Sequence, residues 1–344
     1  MVKKRITSQQ VADRAGVSRT TVSLVLNNVK SANISKETRQ LVLRTARELN
    51  YVPDAAAQSL ASGRSNNIGL LLIKPHHRIF IDAYIPSIIA GLSQVTQQHG
   101  FRILIEIIED ISQPNTYMNL MWGNEIAGMI LSNPKADNVE ITALAASDFP
   151  VVSLDYLNEH VHSVNTDDLI GVEKAVTHLI QLGHQRIACI PYALIDDNNQ
   201  VADRLQVYYE TLEAFNISPD DSLIRSGNRD PESGYVAMQS LLEQASLPTA
   251  LFAMNDVMAL GAMGAIRERG LRIPNDIAIV GYDDILPARY SIPTLTTVNK
   301  NDIEHGRLAG EMLVNLITDQ PVKTRHIHLE PELVIRESCG GRST

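Results

Sequence analysis

Apolar positions along the chain follow two different periods, and the change of period divides it. In the first fifty residues they recur at three- and four-residue steps. Val11, Ala12, Ala15, Val17, Val22, Val25 and Leu26 form one seam along two short helices, broken by a turn at Ala15-Gly16-Val17. Thr7 with Gln10 three residues on is the pattern of a capping box for the first helix. Ser18 is placed to cap the second, which runs from Arg19 to about Leu26 and stops at Asn27-Asn28. Opposite the seam stand Arg19, Thr20, Thr21 and Ser23, side chains sized to reach base edges in a major groove. A third helix opens at Ser35, carries Leu41, Val42, Ala46 and Leu49 on one face, and closes at Asn50 before Pro53. The expectation is an all-α, three-helix helix-turn-helix head over residues 1–53. An ordinary helical hairpin with a solvated polar face shares the same period.

Residues 54–66, an alanine-rich run ending at Gly63, are either a plain linker or a helix too short to hold in water unless something docks on it. From Ile68 the pattern becomes apolar runs alternating with amphipathic helices: IGLLLI, FRILIEII, IAGMIL and VVSLD, then RIACI, TALFA and IAIVGYDD. Buried strands alternating with helices predict doubly wound parallel sheets. Some 270 residues exceed what one such core holds, so a two-lobed α/β body is expected, divided near residue 165. The lobes are expected at 67–164 with 296–324, and at 165–295 with 325–344. A late helix, 302–316, should return to the first lobe and the strand-like HIHLEPELVIRES to the second.

Ligands of open α/β sheets sit beyond the carboxyl ends of the strands. The polar residues there are Asp155, Asn255, Asp256, Asp283 and Asp284, with Arg204 opening a helix beside them. Carboxylates, an amide and a guanidinium suit a polyhydroxylated ligand, because each bonds two neighbouring hydroxyls.

Charge sharpens the division. Residues 1–66 hold 11 Lys/Arg and 4 Asp/Glu, a balance of +7, which leaves −16 for the remainder of a chain whose net charge is −9. A basic head seeks phosphates while an acidic body is repelled by them. No apolar h-region follows MVKKRITSQQ and no run approaches a membrane span, so a cytoplasmic location is expected. Cys189 and Cys339 stand alone, which argues against disulfides and structural zinc. An enzyme would have to use Asp283-Asp284 or Asp196-Asp197 as an acid/base pair, or His76, His77, His160, His162, His326 and His328 as metal ligands. Those histidines lack metal-binding spacing, and no GxGxxG, P-loop or GxSxG is present. Neither enzyme chemistry, a cofactor nor a metal is expected.

Read together, VADRAGVSRTTVSLVLNN, SKETR, LNYVP with AQSLASGRS, LGHQRIACI, DPESGY, NDVMALGAMGAIRERGLRIPNDIAIVGYDD and ARYSIPTLTTV resemble the LacI family of bacterial transcription regulators (the lactose and purine repressor type) along nearly the whole chain. The resemblance implies a periplasmic-binding-protein-like body. It also implies a hinge helix in which Ala57 and Gln58 line a DNA minor groove and Leu60 wedges between base pairs. Arg19, Thr20 and Ser23 fall on its base-reading positions, and Thr7, Ser18 and Asn27 on phosphate contacts. Leu24 departs from the Arg many relatives carry there, which suggests contact with a thymine methyl. Asp155, Arg204, Asn255 and Asp283 coincide with its effector contacts, and Tyr84 lies near its aromatic positions. Arg229 replaces a stacking aromatic, which weakens a purine reading and admits a phosphorylated or acidic sugar. The implied partners are a near-palindromic double-stranded operator and a small polar effector, foremost a sugar that relieves repression. A nucleobase-type corepressor is the alternative. With no leucine heptads after VIRES, a homodimer is expected.

Overall fold

The computed structural model describes residues 6–26, 33–52, 65–73, 84–108, 115–132, 134, 139–192 and 200–341. The chain divides into two compact units, Met1–Asn66 and Asn67–Thr344.

In the first unit, α1 (Ser8–Ala15), α2 (Arg19–Leu26) and α3 (Lys36–Glu48) close on Val11, Ala12, Ala15, Val22, Val25, Val42 and Ala46. The capping box is formed: the Gln10 amide donates to Thr7 Oγ1 at 3.3 Å, and the Thr7 amide donates to Gln10 Oε1 at 2.9 Å. Gly16 turns the chain at φ +65°, a conformation that needs no Cβ. Ser18 and Ser35 each accept a backbone N–H three residues on, which caps α2 and α3. Asn50 follows α3 in the left-handed region, at φ 49°.

The second unit holds two sheets. The first has the order β10-β5-β4-β3-β1-β2 and every pairing is parallel: β1 (Asn67–Ile73), β2 (Arg102–Ile108), β3 (Gly128–Ser132), β4 (Val151–Leu154), β5 (His162–Thr166) and β10 (His326–Leu329). The second has the order β11-β9-β8-β7-β6, from β6 (Ile187–Ile190), β7 (Ala250–Ala253), β8 (Ala278–Tyr282), β9 (Thr296–Asn299) and β11 (Glu332–Val334), with β11 antiparallel to β9. Around the first pack α4 (Tyr84–Gln98), α5 (Thr116–Trp122), α6 (Val139–Ala145) and α11 (Asp302–Ile317). With the second go α7 (Asp168–Gln181), α8 (Gln200–Ala214), α9 (Pro231–Leu242) and α10 (Asp256–Glu268). Close approach of α4 and α11 depends on glycine: a Cβ on Gly91 would lie 1.9 Å from the Ile303 carbonyl oxygen.

Two expectations about the last third are corrected. Residues 296–299, assigned to the first lobe, form β9 in the second sheet. HIHLEPELVIRES does not go to the second lobe as one piece. His326–Leu329 pairs with β5 in the first sheet, and only Glu332–Val334 crosses to the second. Helix α11 joins the first lobe as expected. Strands β5 and β9 were not foreseen, because HSVNT and TTVN lack the long apolar run that marks a buried strand. Before Pro231 the chain adds only isolated bridges, Ile224 to Cys189 and Gly227 to Tyr192. The chain therefore passes between the sheets after β5, after β9 and after β10. Those three short segments lie around residues 167, 300 and 330, and the Asp167 amide donates to the Leu329 carbonyl at 3.0 Å.

Candidate effector cleft and DNA-reading helix

On the head, α2 presents Thr20, Ser23 and Leu24 on a common face at i, i+3, i+4 spacing, away from buried Val22 and Val25. Arg19 is exposed, and its Nε donates to Ser8 Oγ at 3.1 Å, which fixes the guanidinium against α1. Ser18 Oγ lies 2.9 Å from Thr21 Oγ1, so Thr21 braces the cap rather than the open face. Thr7 is taken up in the capping box. Asn27, Ala57, Gln58 and Leu60 lie outside the described residues.

In the body a cavity of about 300 Å³ opens between the lobes. Asp155 and His328 come from the first lobe, Asp203 and Arg204 from the second, and Thr166, Asp167 and Asp168 from the segment that passes between them. Asp155 follows β4 at φ 52°, a left-handed conformation that aspartate adopts more readily than most residues other than glycine and asparagine. It accepts from the Thr166 amide at 3.0 Å and from the Tyr84 hydroxyl at 3.1 Å. Fully buried His305 of α11 lies 4.0 Å from the same carboxylate. Its Nε2 donates to the Val164 carbonyl at 2.8 Å, which fixes the tautomer.

Arg204 is 5% exposed and ion-paired with Asp168. Its guanidinium lies 4.8 Å from the Tyr282 ring centroid and 5.7 Å from that of Tyr192. The Tyr282 hydroxyl also donates to Asp168, 3.0 Å from its carbonyl and 3.2 Å from Oδ1. Burial opposes ionisation of Asp168, but Arg204, Lys300 and these hydrogen bonds outweigh it and hold the carboxyl below its ordinary pKa. Gly171 makes room for this contact, since a Cβ there would stand 2.3 Å from the Tyr282 hydroxyl.

Lys300, in the second crossing segment, is buried between Asp283, at 3.4 Å, and Asp302, at 3.8 Å, and lies 4.9 Å from the Tyr84 ring centroid. Burial drives Asp302 up to about 7, against the pull of Lys300. None of Asp168, Lys300, Asp302, Tyr282 and His305 was foreseen. Asp168 was visible as a helix opener and Lys300 as a lone cation after an apolar run, but neither pattern marks a cleft.

The foreseen residues separate. Asp155 and Arg204 line the cavity, and Tyr84 touches it through Asp155. Asp283 faces Lys300. Asn255 caps α10, accepting from the Met258 amide at 2.9 Å. Arg229 lies over the Tyr192 ring, 3.9 Å from its centroid. The other strand-end acids are structural. Asp256 accepts from Thr297 Oγ1 at 2.6 Å and the Ile285 amide at 2.9 Å, and burial followed by the nearby Asp283 raises its pKa well above the ordinary value. Asp284 is clamped by Arg336 and Arg289. An Asp283-Asp284 acid/base pair is thereby disfavoured, because the second carboxylate is already committed to two guanidiniums. Among the described residues no group of His, Cys, Asp and Glu is arranged to hold a metal, and no helix is long and apolar enough to cross a membrane.

A helix-turn-helix head and a body of two mostly parallel sheets flanking a polar cleft define the class: a DNA-binding regulator with a periplasmic-binding-type ligand body. Residues 7–54 match the family model for bacterial regulatory proteins of the lacI family, and residues 176–339 that for a periplasmic binding protein-like domain. The HTH-type transcriptional regulator CelR of Thermobifida fusca is 32% identical, covering 98% of this chain and 99% of its own. The HTH-type transcriptional repressor PurR of Haemophilus influenzae (strain PittEE) is 33% identical, covering 96% and 98%. Among solved structures, a CelR–cellobiose complex superposes with a TM-score of 0.70 at 31% identity, covering 97% of this chain and 100% of that one. A lac repressor dimer bound to operator and the anti-inducer ONPF superposes at 0.83 and 30%, covering 98% and 99%. The chain belongs to the LacI family of bacterial transcription regulators.

Proposed function

We propose that the protein is a homodimeric repressor that binds a near-palindromic operator through its heads and is released by a sugar held in the cleft of the body. The observation that carries this reading is the cavity walled by both lobes and the crossing segment. A ligand there touches Asp155 and Arg204 together, so its affinity depends on how the lobes are set, which is the condition for an allosteric effector. The relative solved with cellobiose supports a sugar. Tyr84, Asp155, Arg204, Arg229, Asn255 and Asp283 are assigned to the effector or its immediate support. Arg19, Thr20 and Ser23 are assigned to the major groove, with Thr21 supporting them through the cap of α2; Thr7, Ser18 and Asn27 are assigned to phosphates, and Ala57, Gln58 and Leu60 to the minor groove. Residues 54–66 act as the hinge that couples the two units.

PurR relatives favour a second reading, a nucleobase corepressor that tightens DNA binding. Both are tested on the full chain. An operator is selected from random duplexes, and its affinity is measured by fluorescence anisotropy with and without cellobiose, other sugars and hypoxanthine. Weakening by a sugar is expected, and tightening by hypoxanthine establishes the second reading. An operator affinity unmoved by any ligand that binds the body would sink both.

A further inference from the structure

Among the described residues, the cations of the cleft are already matched by carboxylates of the same chain. Arg204 lines the cavity, and Asp168 occupies its Nη2. The Tyr192 and Tyr282 rings flank it, and Nε is buried without a hydrogen-bond partner among the described residues. Lys300 is held between Asp283 and Asp302. Arg229, whose presence in the sequence admits an acidic ligand, lies over Tyr192 and is not in the cavity wall. Against these paired cations the wall carries Asp155, Asp167 and Asp203 in addition to Asp168. Asp155 is stabilised by the neutral donors Tyr84 and Thr166, and Asp167 by the Ile170 amide at the start of α7. An anion brought into this space meets Asp155, Asp167 and Asp203, which no lysine or arginine neutralises among the described residues, and between two protein walls like charges repel more than in open water. A hydroxyl or an ammonium instead finds acceptors.

We propose that the cleft selects its effector by charge, taking neutral polyols or their aminated forms and rejecting phosphorylated and carboxylated ones, with Asp168 as the residue that withholds Arg204 from anions. The proposal rests on the cleft being the effector site, and it makes Asp168 a specificity determinant. It reverses the expectation drawn from Arg229.

The test is calorimetric titration of the full chain at pH 7.5 with matched sets. One comprises glucose, glucosamine, glucose 6-phosphate and glucuronate; another cellobiose and its 6-phosphate; a third hypoxanthine and inosine monophosphate. Neutral or aminated members are expected to bind at least tenfold more tightly than their anionic partners. Asp168→Asn should narrow that ratio by strengthening the anionic member. Should that variant not fold, the wild-type ratios alone decide. An anionic member that binds as tightly as its neutral parent overturns the proposal, as does the failure of every neutral and aminated member of all three sets to bind. If hypoxanthine binds over inosine monophosphate and no sugar binds, the charge rule stands and the sugar reading falls, so the two failures are separable.

Discussion

Lys300 Nζ lies 3.4 Å from Asp283 Oδ1, with the two side chains only 10 and 15% exposed. Asp283 follows β8 of the second lobe at φ 109°, and Lys300 starts the segment that leads back to α11 of the first. The pair therefore ties one lobe's strand end to a hinge between lobes. A strained residue persists only where its surroundings over-determine it, and here the buried ammonium does so.

Lys300→Met should destabilise the body by about 3–5 kcal/mol, because Asp283 and Asp302 lose the charge that compensates their burial. Urea unfolding of the variant checks this. A midpoint equal to that of the wild type would show that the ammonium contributes little.

Asp302 gives a pH signature. Its folded pKa is raised from 3.8 to about 7, so the folded state holds the proton more tightly than the unfolded chain. The stability from this group is complete below its unfolded pKa and is lost as pH rises through its folded one. The slope is at most about 1.4 kcal/mol per pH unit. Asp302→Asn cannot ionise, and its stability measured between pH 4 and 7 should lack that slope.

The capping box of α1 makes a local prediction for the head. Thr7→Ala removes the acceptor for the Gln10 amide and should cost about 0.5–2 kcal/mol. Hydrogen exchange on the full chain should show faster exchange across Ser8–Ala15 and unchanged protection in β7. Slowed or unaltered exchange in α1 would rule the cap out as a determinant of the head.

Leu24 is half-buried but stands outside the apolar cluster of the head, on the face it shares with Thr20 and Ser23. Such a side chain distinguishes thymine by its methyl group. Replacing each thymine of the selected operator by uracil should weaken binding roughly fourfold at one half-site position, the equivalent of about 0.8 kcal/mol for one buried methyl. Leu24→Ala should be indifferent to that replacement. Uniform tolerance of uracil by the unaltered chain would remove Leu24 from base reading.

The head was legible in the sequence because everything that forms it is local. Thr7 with Gln10, Ser18 with Thr21 and Ser35 with Thr38 are three residues apart, and Gly16 and Asn50 stop their helices by their own backbone preferences. The alternation of buried runs and amphipathic helices likewise announced two parallel sheets, and the polar end of VVSLD gave Asp155, with Arg204 in a helix beside the strand ends. What the chain order could not convey is pairing at a distance. Asp168 meets Arg204 across 36 residues and Tyr282 across 114, and Tyr84 meets Asp155 across 71. The same holds for HIHL and ELV, two short strands with two residues between them that add to different sheets. A strand of three or four residues has too little surface of its own to choose a lobe; the open edge available to it makes the choice. Sequence period therefore determined the helices and the strands built on long apolar runs, and tertiary packing decided the short strands β5 and β9, which acids line the cleft and which neutralise its cations.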